Sequence, residues 1–404
     1  MDILYISQYY PPEMGAPAAR VSELSKYWVK FGNNVTVITG MPNHPDGIVH
    51  PTYKWEYFKE ERKFGVRVLR VLLYVTPNKG VIKRVISFLS FMITSFIVGI
   101  LKSGTDVVIA TSPQLFVGLS GLIIAKLKGK PFIFEVRDIW PHSAVELGVL
   151  KNKFIIKMME KLEMFLYSKA KKIVIVIDSM KEYLVKRGIK TDKIIFIPNG
   201  IDSERFNDFQ EKTIIRKYPL TEGKFIIAYI GTIGMAHGLD IMIRAAEKTE
   251  DRDICYVIIG DGAEKDRVTS IARKKNLDNL LIIDKIPPQD VPAALQEIDM
   301  GLVHLRNIPM IALPSKIFEI MASQKPVLAG IKGKLADFIR QNNVGLIFEP
   351  ENEDDMIKKI LSVKNNPNRL RQMSVNGAAI VKEQFSREEL AYKYLNYLEE
   401  GGCD

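Results

Sequence analysis

The amino-acid sequence predicts an α/β protein made of two doubly wound, Rossmann-like domains that face each other across a cleft. Three observations carry this expectation. Short β-branched runs alternate with stretches long enough for a crossover helix, which is how a parallel sheet reads in sequence. The rhythm occurs twice, on either side of the polar segment Asp202–Gly223. The length of 404 residues suits two domains at roughly 100–200 residues each.

Taken in order, Asp2–Ser7 is a short apolar run ending in a Pro/Gly loop, Tyr10–Gly15. Ala18–Phe31 has helical spacing, Asn33-Asn34 is a turn, and Val35–Thr39 is a second strand. Further strands are expected at Val66–Val71, Asp106–Thr111, Pro131–Val136, Lys172–Ile177 and Ile194–Pro198. In the second half they are expected at Phe225–Ile230, Ile254–Ile259, Leu280–Ile283, Met300–Leu305, Pro326–Ala329 and Gly345–Phe348. Asp240–Lys248, Glu264–Lys275 and Lys316–Ala322 read as intervening helices, and Arg387–Glu400 as a final helix able to pack on either domain. The domains are set at residues 1–201 and 224–385, with 202–223 as a linker and 386–404 as the C-terminal helix.

Composition is that of an ordinary globular chain, 47% hydrophobic and 26% charged, which argues against disorder and multi-span membrane proteins. Two cysteines, Cys255 and Cys403, allow no disulfide framework, so the reducing cytosol is the expected compartment. The opening MDILYISQYY does not read as a signal peptide. The formal charge of +10 is unevenly placed: residues 1–200 carry +13 and residues 201–404 carry −3. A basic first half points to an anionic partner, or to a basic surface without function.

Two segments of the first half stand out. Val85–Leu101 is a 17-residue run without a charge, flanked by Lys79, Lys83, Arg84 and Lys102, with Ser87, Ser90 and Thr94 as a faint polar stripe. It falls where a crossover helix is required, and a membrane span there would tear the sheet apart. The expectation is a buried crossover helix, with a helix lying in a membrane interface as the alternative. Lys151–Lys172 is basic and amphipathic, which suits anionic lipid or an ordinary packed helix with a solvated face.

Chemistry concentrates in Leu313-Pro314-Ser315-Lys316-Ile317-Phe318-Glu319. Ser315 is a good N-cap, and the free N–H groups of the turn that follows suit a diphosphate. Lys316 adds a formal charge, and Glu319, one turn on, can accept from a pair of ribose hydroxyls. In the first half, Asp138 follows the strand Pro131–Val136 beside Arg137 and ahead of His142. A carboxylate there can hold or deprotonate an acceptor hydroxyl, or be a buried partner of Arg137. Arg20, about one turn into the first helix, either reaches an anionic group or is a surface arginine. Asp251-Arg252-Asp253 precedes a strand rather than following one, and the five histidines lack ligand spacing, so no metal is expected.

The chain resembles the retaining glycosyltransferases of family four, with the GT-B fold, over almost its whole length. The motifs are Tyr9-Tyr10-Pro11-Pro12-Glu13, Arg137-Asp138-Ile139-Trp140-Pro141, Pro198-Asn199-Gly200-Ile201-Asp202, Tyr229-Ile230-Gly231-Thr232-Ile233-Gly234, Gly260-Asp261-Gly262 and the Lys316–Glu319 segment. It looks most similar to the surface-polysaccharide subgroup, which includes fucosamine transferases of O-antigen and colanic-acid pathways. The resemblance implies an N-terminal acceptor domain and a C-terminal nucleotide-sugar domain. Gly15, Gly234, Gly262, Ile286, Ser315, Ile317 and Glu319 would then bind donor, and Arg20, Arg137 and His142 acceptor. Gly15 is also readable as plain turn punctuation.

The sequence departs from the family pattern at three positions. Ile311 stands where the first of two glutamates is usual, and Thr232 and His237 stand where an arginine and a lysine are usual. Lys316, the helix N-terminus and His237 are expected to make up the missing charge, although His237 also reads as a satisfied loop histidine. The expected catalytic residues are Asp138, Lys316 and His237. The expected reaction moves a sugar, with retention, from a UDP-sugar to a lipid-linked saccharide at the inner face of the cell membrane, without cofactor or nucleic acid. A nucleotide-sugar epimerase and a non-catalytic membrane-surface binder of the same fold are the alternatives.

Overall fold

The computed structural model describes residues 1–13, 15–43, 47–76, 81–112, 114–146, 150–207, 212–306 and 316–400, in two units: Met1–Asn199 with Arg387–Asp404, and Gly200–Ser386. In the first unit β1 (Asp2–Ile6) and α1 (Ala16–Lys30) lead to β2 (Asn34–Gly40), β3 (Phe58–Lys63) and β4 (Val66–Val71). Then follow α2 (Val81–Leu101), β5 (Val107–Thr111), α3 (Leu115–Lys128) and β6 (Phe132–Val136). The short α4 (His142–Glu146), α5 (Lys153–Lys169), β7 (Lys172–Ile175), α6 (Ser179–Lys186) and β8 (Ile194–Phe196) complete it. The sheet order is β3-β4-β2-β1-β5-β6-β7-β8. Its central strands are buried almost end to end because they are covered on both faces.

Strand β3 was not expected, since FKEERK shows no apolar alternation. It pairs antiparallel with β4 at the sheet edge, where Glu60 and Glu61 meet Arg67 and Arg70 at 2.7 Å. Charge along an edge strand discourages pairing with another chain.

The expectation for α2 also needs correcting. It is the crossover from β4 to β5, yet it is not buried: only 22% of the apolar window in Lys83–Leu101 lies inside. Among the described residues this helix alone is long and apolar enough to cross a membrane.

The second unit runs α7 (Glu204–Asn207), β9 (Phe225–Thr232), α8 (Asp240–Lys248), β10 (Ile254–Asp261), α9 (Lys265–Lys275) and β11 (Leu280–Asp284). It continues with α10 (Val291–Gln296), β12 (Met300–His304), α11 (Lys316–Ala322), β13 (Val327–Gly330) and α12 (Lys334–Gln341). After these come β14 (Gly345–Phe348), α13 (Glu353–Lys364) and α14 (Pro367–Ile380). The strand order β11-β10-β9-β12-β13-β14 is all parallel, the doubly wound 3-2-1-4-5-6 arrangement. Alternate residues of β9 feed two cores, Ile226 and Ala228 on one face and Ile227 and Tyr229 on the other. The segment read as a linker is part of this unit: Phe206, Ile214 and Ile215 are buried in its core, and Glu297 accepts from three successive N–H groups at residues 214–216.

The chain then returns to the first unit as α15 (Arg387–Glu400), packed along α1. Trp28 meets Tyr394 edge-on at 5.2 Å and donates its indole N–H to Ala391 O at 3.0 Å. At the start of α15, Arg387 pairs with Glu23 at 2.9 Å.

Candidate active site

Parallel α/β sheets present functional groups at the carboxyl ends of their strands, where the order reverses. In the second unit that point lies between β9 and β12. Strand β9 carries Tyr229 and ends at Gly231-Thr232, and a short turn, Met235–His237, follows. Gly231 has φ +140°, and a Cβ there would run into the Lys316 side chain. Gly262 has φ +153° and approaches the backbone of Ile233, so β9 and β10 emerge with no side chain between them.

On α11, Ile317 and Phe318 face the core, while Lys316 and Glu319 share the half-buried side, three residues apart. The Lys316 ammonium sits 3.9 Å above the Tyr229 ring and donates to the Tyr229 hydroxyl. That hydroxyl donates in turn to Thr232 O. Burial lowers the Lys316 pKa to about 7, with Glu319 opposing the shift. A cation held by an aromatic face and one hydroxyl is under-solvated, so it gains when an anion arrives.

His237 lies against the same Tyr229 ring, 5.7 Å between centroids. Burial, and then the charge of Lys316, push its pKa down to about 4. In the unliganded site this favours the neutral imidazole near pH 7. It can still donate or accept a hydrogen bond. His304, which the sequence reading did not single out, holds this turn in place. Its Nδ1 donates to His237 O at 2.7 Å and its Nε2 accepts from Glu351 N at 3.2 Å.

Of the other donor candidates, Gly234 is in extended backbone where a Cβ would make ordinary contact with His237 and Thr232, and Ile286 is half-buried against the core. Ile317 is fully buried, so its side chain belongs to the core and not to a ligand site. Ser315 and Ile311 lie outside the described residues. Asp251 and Asp253 meet Lys364 at 2.6 and 3.6 Å, at the amino end of β10.

In the first unit a buried carboxylate organises the equivalent strand ends. Glu135 on β6 accepts from Tyr5 of β1 and Thr111 of β5, both at 2.8 Å, and from Arg20 at 2.9 and 3.0 Å. Arg20 also donates to Ile197 O, Pro198 O and Asn199 Oδ1, which engages all five of its N–H groups. Fully buried and saturated, Arg20 is neither a surface residue nor an acceptor ligand; it fixes α1 and the 197–199 loop to the sheet.

Arg137, immediately after β6, is different. Its backbone N–H is held by Ser112 Oγ at 2.8 Å, but its guanidinium Nε and Nη1 are buried with no hydrogen-bond partner among the described residues. Burial draws its pKa down to about 10. Glu135, hydrogen-bonded to Arg20, opposes that shift through its charge without bonding to Arg137 Nε or Nη1. Asp138, half-buried two residues after β6, accepts from Ser143 Oγ at 2.9 Å. His142 opens α4 against the Tyr183 ring at 5.4 Å. Gly15, φ +118°, caps α1 with room around it, so backbone conformation is what calls for glycine there.

Two Rossmann-like units with polar groups at their strand ends are the architecture of the GT-B glycosyltransferases, and the family matches assign the chain to them. The chain belongs to this class: residues 18–205 match Glycosyltransferase Family 4 and residues 210–379 match the glycosyl transferases of group 1. It is 27% identical over 332 residues to WcaI of Escherichia coli K12, named for colanic acid biosynthesis glycosyl transfer, covering 80% of this chain and 81% of that one. To WbjE of Pseudomonas aeruginosa, named as a glycosyltransferase, it is 24% identical over 332 residues, covering 79% and 80%. Among solved structures, Anabaena HepE in complex with UDP superimposes with a TM-score of 0.73 at 14% identity, covering 99% of this chain and all of that one.

Proposed function

We propose that this glycosyltransferase moves a sugar, with retention, from a UDP-sugar to a phosphate-bearing, lipid-linked saccharide at the inner face of the cell membrane. The observation that carries the donor half is Lys316, stowed on Tyr229 one turn from Glu319. An arriving diphosphate draws Lys316 into its charged form, and Glu319 accepts from the ribose hydroxyls. The UDP held by HepE supports uridine as the nucleoside, and the name of WcaI, with its colanic acid, supports a polysaccharide product.

In the reaction, the bond between the anomeric carbon and the β-phosphate oxygen breaks while the acceptor oxygen bonds the same face of that carbon. The acceptor proton passes to the departing phosphate oxygen. The protein positions the partners and stabilises the leaving charge, with Lys316 as the main electrostatic group. Asp138 orients the acceptor hydroxyl, and the Arg137 guanidinium, whose Nε and Nη1 have no partner among the described residues, binds the acceptor phosphate. An epimerase acting on the nucleotide sugar alone would have no use for that second anion site.

The test is incubation with a panel of UDP-sugars and a polyprenyl-diphosphate saccharide, followed by mass spectrometry and NMR of the product. A lipid-extractable product with the donor's anomeric configuration supports the reading. Inverted product, or epimerised UDP-sugar with no transfer, overturns it.

A further inference from the structure

Helix α2 carries its residues inside out for a protein surrounded by water. Its buried stripe is Ser87, Phe91, Ser95 and Gly99, one residue per turn. Its exposed stripe is Ile86, Ile93, Ile97 and Leu101, open to 45–77%. A helix facing water places aliphatic side chains inward and hydroxyls outward. Helices surrounded by lipid do the reverse, packing closely through small and hydroxyl residues.

That close packing is present between α2 and α3. Ser95 and Ser120 are hydrogen-bonded at 3.0 Å, and Gly99 lies on Ile124. Lys128 donates to Ile100 O at 3.1 Å and to Lys102 O. These pairs advance together along both helices, so α2 and α3 run parallel, and the exposed Ile123 and Leu127 of α3 extend the apolar stripe of α2. Helix α5, packed on the far side of α3, exposes Phe154, Met158 and Phe165.

Charge around this face is predominantly positive, with Glu160 on α5 and Asp106 beside Lys130 as acidic exceptions. Neither α2 nor α3 contains an Asp or Glu; Lys83 and Arg84 lie in the first turn of α2 and Lys102 follows its end, while Lys126 and Lys128 lie in the last turn of α3 with Lys130 just beyond. On α5 the exposed apolar residues alternate with Lys153, Lys157 and Lys161. Helix α2 is also tied down along its length. Ser90 Oγ accepts from Tyr74 N at 2.7 Å, and Thr94 donates to Leu72 O at 2.8 Å. A helix held to the chain leaving β4 lies along the domain and does not stand away from it as a span would.

We infer that α2, with the exposed edges of α3 and α5, is a membrane-docking surface for an anionic lipid bilayer. The aliphatic stripe enters the acyl boundary, and the lysines and arginine meet the headgroups. The inference needs no donor or acceptor, so its failure and that of the transfer reaction are separable.

The test is co-sedimentation of the full chain with phosphatidylcholine vesicles, with and without phosphatidylglycerol. Binding is expected only with the anionic lipid, and Ile93→Glu/Ile97→Glu is expected to weaken it roughly tenfold or more with the thermal melt unchanged. In a second measurement, Ile97→Trp reports depth through quenching by bromine-labelled acyl chains, with Leu361→Trp on α13 as the control. Quenching of the first and not the second supports the inference. Unchanged vesicle binding by the double variant, or no quenching in Ile97→Trp, overturns it. So does a double variant that only splits an oligomer into monomers, because the face would then be covered by a second copy of the chain.

Discussion

Lys316 rests its ammonium 3.9 Å above the ring of Tyr229 and donates to the hydroxyl of that same residue. The arrangement keeps a lysine in a place where water cannot fully solvate it, and its pKa falls from 10.5 to about 7. The sign of the consequence is fixed. Between pH 7 and 10.5 the unfolded chain binds a proton at this site that the folded one does not, so the folded state gains stability as pH rises through that window. Below pH 7 the full cost of burying the charge is present.

Replacing the lysine should therefore separate stability from function. Lys316→Met is expected to stabilise the protein at pH 6, by at most about 5 kcal/mol at 1.36 kcal/mol per pKa unit, and hardly at all at pH 10.5. The same variant should lose UDP affinity. Urea melts at the two pH values and calorimetric titration with UDP check both halves.

Proton linkage gives a second reading of the same residue. At pH 8 the free protein holds Lys316 mostly neutral, so UDP binding should take up close to one proton. Titrations in buffers of different ionisation enthalpy measure that uptake, which should vanish in Lys316→Met.

Glu135 and Arg20 form a buried pair, so removing one charge leaves the other stranded. Glu135→Gln is expected to cost about 3–5 kcal/mol in a denaturant melt. Arg20, ahead of its other neighbours in opposing burial, holds the Glu135 pKa below its usual value. The pair's contribution is accordingly present above the unfolded carboxylate range and lost as pH falls through the folded pKa.

Arg137→Gln should behave in the opposite way. Its guanidinium has two buried donors without partners among the described residues, so the melt should not fall. The KM for a phosphate-bearing acceptor should rise roughly tenfold or more, the loss of a charge-assisted contact. UDP binding should be unchanged. Steady-state kinetics with acceptor varied at fixed donor resolve the two.

Much of the fold was legible because parallel strands are apolar runs: β4 and β14 fall on their expected residues, as do α8, α11 and α15. Strand β3 was hidden by its charges, which belong to an edge and not to a core. For α2 the sequence offered an apolar run without saying which face the sheet would cover. The structure covers the serine side. Glu135 was the missed signal of the first unit: a lone carboxylate inside the run FIFEV must find a buried cation, and that cation is Arg20. His304 in MGLVH is the parallel case in the second unit. Burial could not be read from the sequence, so the downward push on the His237 pKa in the unliganded site was not legible there.

The central claim is that the Lys316–Glu319 face binds a uridine diphosphate. The most direct measurement is a thermal melt of the wild-type chain and of Glu319→Ala with UDP, GDP, ADP and CMP. A ligand at 100 times its Kd adds about 2.7 kcal/mol, which a melt resolves. Stabilisation of the wild type by UDP above the other nucleotides, lost in Glu319→Ala, is the predicted result. Equal stabilisation of both proteins, or a response to none of the nucleotides, would contradict it.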